Sequence, residues 1–273
     1  MTAIEPATWD DLGRECDAWA AQGRQVALWW RDDDAVADTP ALRRLLDLAA
    51  GRAPVALAVI PASRAPGLAD VVSRAGGGIA VLQHGFDHRN RAPAGAKKSE
   101  FPATRPAAEV ADVLARGRDA LGAAFGPRFV PALTPPWNRF DASHLSILAS
   151  LGYRGISTYL ARRSPAPAPK LRQVNTHVDI IDWHAGGAAA GGAPGGMARP
   201  FLGTGRALGL LVGHLAAKRQ GMADAAEPTG LLTHHLVHDT ETWEFLGELL
   251  AWTAARPAIA WHNAADLFPE FGV

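Results

Sequence analysis

Residues 27–38 read "ALWWRDDDAVAD", an apolar, strand-like run that ends on Arg31 and three consecutive carboxylates, Asp32, Asp33 and Asp34. Adjacent carboxylates repel one another, and the end of a packed strand is a costly place to collect them. A solvated acidic turn, or a capping cluster for the helix that follows, is the plain reading. The sharper one is that these acids hold something positive.

The same rhythm, an apolar run closed by a polar group, recurs along the chain. "ATWDDLGRECDAWAAQG" predicts a helix, with Thr8 as N-cap and Asp11 completing a capping-box pattern. "QVALWW" predicts a buried strand that ends at the acids, with Trp29 and Trp30 as core residues. "TPALRRLLDLAAG" predicts a helix with Pro40 in its first turn and Gly51 at its end. "PVALAVIP", "GLADVVSRAG" and "GIAVLQ" then read as strand, helix and a third strand stopping at His84, before a polar loop to about Pro106.

"AAEVADVLARGRDALGAAFG" predicts a long helix and "FVPALT" a strand that stops at "PPWNRF". "DASHLSILASLG" reads as a helix capped by Asp141, and "RGIST" as a short strand. A strand is expected through "NTHVDIIDWH", followed by a glycine-rich loop, "AGGAAAGGAPGGMARP". That loop has no Gly-Lys-Ser/Thr and is not a phosphate-binding P-loop. It reads as an insertion or a lid. "GTGRALGLLVGHLAAKR", "GLLTHH", "DTETWEFLGELLAWTAA" and "AIAW" complete the pattern as helix, strand, helix and strand.

Strand–helix alternation repeated roughly seven times implies parallel strands, arranged as a doubly wound sheet or a barrel. Most polar clusters fall at the C-terminal ends of different predicted strands, where barrel active sites are built. The expected fold class is therefore α/β, a distorted (β/α)7-type barrel. No break in the rhythm marks a second domain, so residues 1–273 are read as one, with a core of about 25–262.

Lys plus Arg and Asp plus Glu number 27 each, which removes any whole-chain charge argument for nucleic acid or an anionic membrane. Cys16 is the single cysteine, so an internal disulfide and a cysteine-based zinc site are both excluded. No apolar leader and no membrane-length apolar stretch is visible, and a cytoplasmic protein is expected.

The second informative stretch is "QHGFDHRN". His84 and His88, three residues apart, can direct both imidazoles at one point. With a carboxylate from the first strand they form a three-ligand set that leaves coordination positions open for water and substrate, as catalysis requires. Polar loop histidines are the bland alternative. His144, His177, His184, His214 and His262 have no partner legible in the sequence.

On these residues the chain resembles the polysaccharide deacetylases, carbohydrate esterase family 4. "RDDDA" falls on the family's first motif, Thr-Phe-Asp-Asp-Gly, which implies Asp33 as general base and Asp34 as metal ligand. "HGFDH" matches the His-(Ser/Thr)-x-x-His motif and implies His84 and His88 as the other ligands. "TPPWN" resembles the third motif through Pro136 and Trp137, with Thr134 where the base-orienting arginine would stand. "DIIDW" places Asp179, Asp182 and Trp183 on the fourth motif, and "LTH" makes His234 the implied general acid, with His235 and His238 close enough to compete. Asp32 replaces an aromatic and Ala35 a glycine, and Arg31 is the cation expected to stand in for the missing arginine.

The resemblance covers about residues 27–250 and implies a metal-dependent hydrolase removing an acetyl group from an N-acetylated sugar or glycan precursor. The implied metal is zinc, or another divalent ion such as cobalt, manganese or nickel. Trp137 and Trp183 offer flat faces on which a sugar can pack. The partner is thus a small-molecule or oligosaccharide substrate, with no nucleic acid. Three rivals stand beside this reading: hydrolysis of another non-peptide C–N bond at the same site, a non-catalytic carbohydrate-binding protein on this scaffold, and a non-haem iron centre. The strand–helix alternation opposes the last.

Overall fold

The structure is a computed structural model that describes residues 4–185 and 198–271. Helix α1 (Trp9–Ala20) is capped by Thr8, with the reciprocal Asp11 bond of a capping box, and leads into β1 (Val26–Ala35). Then follow α2 (Pro40–Ala49), β2 (Val55–Val59), α3 (Gly67–Arg74), β3 (Ile79–His84), α4 (Ala107–Phe125) and β4 (Phe129–Thr134). The chain continues through α5 (Leu145–Ser150), β5 (Gly155–Ile156), β6 (Arg172–Gln173), β7 (Val178–Asp179) and α6 (Thr204–Arg219). It ends with β8 (Thr229–Thr233), α7 (Thr240–Ala254), β9 (Ile259–His262) and α8 (Ala264–Leu267).

All pairings between these strands are parallel, in the order β6-β5-β4-β3-β2-β1-β8-β7. The two ends of that order are consecutive pieces of one extended segment. Val174 and Thr176 donate backbone bonds toward β5 and its extension, at Ile156 and Thr158, while His177 donates to Gly230 of β8. Counting β6 and β7 as one stave, seven staves curl back on themselves as a distorted (β/α) barrel. Strand β9 is an addition, paired with the first half of β1.

Alternation along each stave sorts side chains between lumen and helix layer. Leu28 and Trp30 join the helix-facing core with Leu57 and Val81, whereas Trp29 lies in the lumen with Ala56, Ala80, Leu82 and Ala132. The small lumen alanines leave room for Trp29 and for Phe268, which stands edge-on to it. Gly155 and Gly230 serve the same end: a Cβ would come within 2.1 Å of Phe268 and 2.5 Å of the Trp29 indole. By the same alternation Arg31 and Asp33 follow Trp29 to the lumen side, and His84 follows Ala80 and Leu82.

Four expectations are corrected. The first strand does not end before the acids but runs through them to Ala35. Between Asp32 and Ala35 it advances three residues while β2 advances two, Leu57 to Val59. The strand expected through residues 175–184 is continuous only at β7, with single bridges from Thr176 to Tyr159 and from Ile181 to Phe201, because Asp179 and Asp182 turn back to bond nearby N–H groups. Strand β6, in a Pro-rich and polar surrounding, was not expected. Asp141 caps a 3-10 turn, Ala142–His144, that precedes α5. The glycine-rich loop falls almost wholly on residues 186–197, outside the described residues.

Candidate active site

The C-terminal ends of β1, β3, β4, β7 and β8 surround one cavity of about 350 Å³. Asp33 and Asp34 enter it from β1, His84 from β3 and His88 from the loop beyond, Trp137 from the turn after β4, Asp179 and Trp183 from β7 onward, and His234 from the end of β8. In a regular strand Asp33 and Asp34 would face opposite sides of the sheet. The extra residue in β1 and a left-handed backbone at Asp34 (φ 71°) bring both carboxylates to the same cavity. His88, Trp137 and Asn138 are left-handed too, at 54°, 55° and 56°. Such conformations cost energy and concentrate at functional sites.

Asp34 Oδ1 lies 3.1 Å from His84 Nε2 and 3.4 Å from His88 Nε2. The buried His84 ring is fixed by its other nitrogen: Nδ1 is 2.9 Å from the Thr134 carbonyl oxygen, which can only accept, so Nδ1 carries the proton. In the neutral ring the Nε2 lone pair then faces a carboxylate oxygen that has no hydrogen-bond donor of its own. Lone pairs converging in this way need a positive charge between them. The donor set, two imidazoles and a carboxylate with His84 Nδ1–H held by a carbonyl, fits a divalent transition metal. Burial pushes the Asp34 carboxyl up, but His84, His234 and His88 outweigh it and hold the group well below the usual carboxylate range. Burial and the charge of His84 push His88 down.

Arg31 is completely buried and grips Asp33 side-on, Nε to Oδ1 at 2.8 Å and Nη2 to Oδ2 at 2.9 Å. Its remaining N–H groups reach Asn138 Oδ1 (2.6 Å), Ser157 Oγ (2.7 Å) and the Ser157 and Thr158 carbonyls. The cation expected at Thr134 thus comes from within β1, and Thr134 instead presents its carbonyl to His84.

Asp32 points to the opposite side of β1. Its carboxylate, completely buried, accepts from Thr233 Oγ1 (2.6 Å), His235 N (3.0 Å) and His235 Nδ1 (2.5 Å). This separates the three late histidines: His235 is spent on Asp32, His238 packs edge-on to Trp243, and only His234 lines the cavity, 4.7 Å from the Trp183 ring centroid. Asp179 Oδ2 accepts from Trp183 Nε1 at 2.8 Å. Burial raises the Asp179 carboxyl against the opposing charge of His234.

Two expected substrate contacts are placed elsewhere. Pro136 is buried against the tight turn at Gly85, and Asp182 is occupied by Arg206 and the N–H groups of His184 and Ala185. Glu100, unremarked in the sequence, accepts from the N–H groups of Phe86, Asp87 and His88 and so shapes the loop that carries His88. Burial and Asp87 push its carboxyl up to about 7. A buried acid 12 residues beyond a histidine pair leaves no periodic signal. Lys98, Arg139 and Arg199 also line the cavity.

Among the described residues one further group has metal-ligand proximity: His177, His214 and Glu227, near the N-terminal ends of β7 and β8. There His177 Nδ1 accepts from Gly230 N–H, so the ring proton sits on Nε2, the atom facing Glu227. A protonated Nε2 cannot ligate, and the two imidazoles stack face to face at 3.6 Å rather than converging.

No protein-family model and no curated protein matches the sequence. Solved structures do. A Mycobacterium smegmatis protein assigned to the polysaccharide deacetylases is 19% identical, with a TM-score of 0.62 over 98% of this chain and 93% of that one. A family 4 carbohydrate esterase of Streptomyces lividans, solved with acetate, is 14% identical, with a TM-score of 0.53 over 86% and 91%. A family 4 pseudoenzyme from Bacillus anthracis is 14% identical, with a TM-score of 0.53 over 90% of this chain and 66% of that one. The chain has the fold of the polysaccharide deacetylases, the family 4 carbohydrate esterases.

Proposed function

We propose that the chain is a metal-dependent deacetylase acting on an N-acetylated sugar or glycan precursor. The observation that carries this reading is the convergence of a ligand set (Asp34, His84, His88), a guanidinium-held carboxylate (Asp33) and an imidazole (His234) on one cavity. Bound there, zinc or another divalent ion supplies Lewis-acid polarisation of the acyl oxygen and acidifies water.

The chain's own residues do the rest. Asp33 takes a proton from the water that attacks the acetyl carbon, and Arg31 keeps its carboxylate from rotating away. His234 delivers a proton to the departing amine nitrogen as the C–N bond breaks, releasing acetate and a free amine. The turn after β4 contains Pro135 and Pro136, which lack N–H groups, and spends those of Asn138 and Arg139 internally. Trp137 N–H is the turn's uncommitted donor among the described residues and is suited to a developing oxyanion. Trp137 and Trp183 flank the sugar.

A pseudoenzyme shares this fold, so the fold alone does not imply turnover. Presence of both Asp33 and His234 favours catalysis over binding alone. Acetate release from N-acetylglucosamine and its oligomers by zinc-loaded protein tests the reading, with cyclic amides as the rival substrates. Asp33→Asn should lower the rate about 10²- to 10⁴-fold. Wild-type rate in that variant, on the true substrate, would remove Asp33 as the base.

A further inference from the structure

The chain as a whole is neutral, and three carboxylates and three cations line the candidate cavity, but the buried Arg31 behind Asp33 adds a fourth cation and leaves positive charge in excess. Lys98 and Arg139 stand exposed at its rim, and Arg199 lies over the face of Trp183, 5.9 Å from the ring centroid. The carboxylates of the same cavity are committed elsewhere: Asp33 to Arg31, Asp179 to the Trp183 indole, and Asp34 to the ligand set with His84 and His88. Neither Lys98 nor Arg139 makes an ion pair with a described residue. Arg139 donates one bond to the Lys98 carbonyl, 3.0 Å, which ties the two cationic residues together.

The basic rim also leads somewhere. Asn138 and Arg139 form a wall shared with a second cavity of about 490 Å³, lined by Lys97, Phe140, Thr158 and Gln173 among others. Three cations, Lys97, Lys98 and Arg139, therefore border the passage from the candidate site into an adjoining groove. A neutral sugar needs hydrogen bonds and an aromatic face, which Asn138, Trp137 and Trp183 supply. It can use the N–H groups of three cations as donors but leaves their charge unanswered. A guanidinium and an ammonium side by side suit a phosphate or carboxylate, the first as a planar fork and the second as a point charge.

We infer that the substrate is an anionic acetylated amino sugar, bearing a phosphate or carboxylate that Lys98 and Arg139 bind while the remainder of the molecule extends into the groove beside Lys97. This rests on the proposed deacetylase reading but is tested by binding, apart from turnover. Calorimetry on zinc-loaded protein would compare N-acetylglucosamine with its 1-phosphate, its 6-phosphate and the corresponding uronic acid. At least one anionic form should bind about tenfold or more tightly than the neutral sugar, with an advantage that shrinks as salt rises. In the Lys98→Gln/Arg139→Gln double variant that ratio should fall toward one. Which form gains identifies the anion as phosphate or carboxylate. A ratio near one in the wild type, or a ratio untouched in the double variant, as capture of phosphate by the metal alone would give, overturns the inference. Anion-selective binding without acetate release would instead remove the hydrolase reading and leave the anion site standing.

Discussion

Three adjacent acids have three different surroundings. Asp34 faces two imidazoles, Asp33 is gripped by Arg31, and Asp32 turns outward to hold His235. Each makes its own prediction. Arg31→Ala leaves a buried carboxylate unpaired, which should cost about 3–5 kcal/mol in urea denaturation. Arg31→Lys keeps the charge but loses the side-on fork, so turnover should fall at least about tenfold while zinc content holds. Asp32→Ala strips three buried donors of their acceptor, at about 1–3 kcal/mol each. It should also free the segment that carries His234, lowering kcat with little change in zinc content. Unaltered kcat in a folded Asp32→Ala protein would show that His234 is positioned by something else. The acids and the histidine pair were legible in the sequence because such residue types are rare at a strand end, while their division into base and ligands is what the family resemblance implies. The split between Asp32 and His235 was not, because a pairing across 203 residues leaves no local trace.

Local devices also operate at the scale of single elements. The extra residue in β1 turns alternation into convergence, and Glu100 gathers three N–H groups to set the loop after β3. Glu100→Ala should weaken zinc binding about 10- to 100-fold, the range seen when groups that orient metal ligands are removed. A competition titration with a zinc chelator reads this directly, and an unchanged affinity would show that the loop holds itself. Gly85→Ala should do the same or worse. Its φ is 56°, and a Cβ there would lie 2.2 Å from Glu100 Oε2 and 2.6 Å from Pro136. Long elements were readable from the sequence: α1, α2, α4, α6 and α7 follow from apolar periodicity, caps and glycine stops. Strand β6 was not, because its two residues sit in a Pro-rich, polar stretch with no apolar run, whereas β5 and β7 fall inside longer strands that the sequence predicts.

For the molecule as a whole, barrel closure and acid stability meet at the group of His177, His214 and Glu227. Burial pushes both imidazoles down, His214 to about 2, so they stay neutral in the fold. Below the ordinary histidine value of 6.5 the unfolded chain binds protons that the folded chain refuses. Stability is therefore present above that pH and falls on acidification, by up to about 1.4 kcal/mol per pH unit for each histidine. Urea denaturation between about pH 7 and pH 5 should show a shallower slope in His214→Phe than in the wild type; equal slopes would contradict neutral burial. The barrel itself was legible, since seven apolar staves ending in polar groups allow few other architectures. Its manner of closure, one segment serving both ends of the sheet, was not.

The central claim is that Asp34, His84 and His88 hold a divalent metal beside Asp33. Metal content of protein purified without chelators, with zinc added back by titration, tests it most directly. About one equivalent should bind to the wild type and to Asp33→Asn, and be lost in Asp34→Ala, His84→Ala and His88→Ala. A wild-type chain that binds no divalent metal, or ligand variants that bind as well as the wild type, would contradict the account.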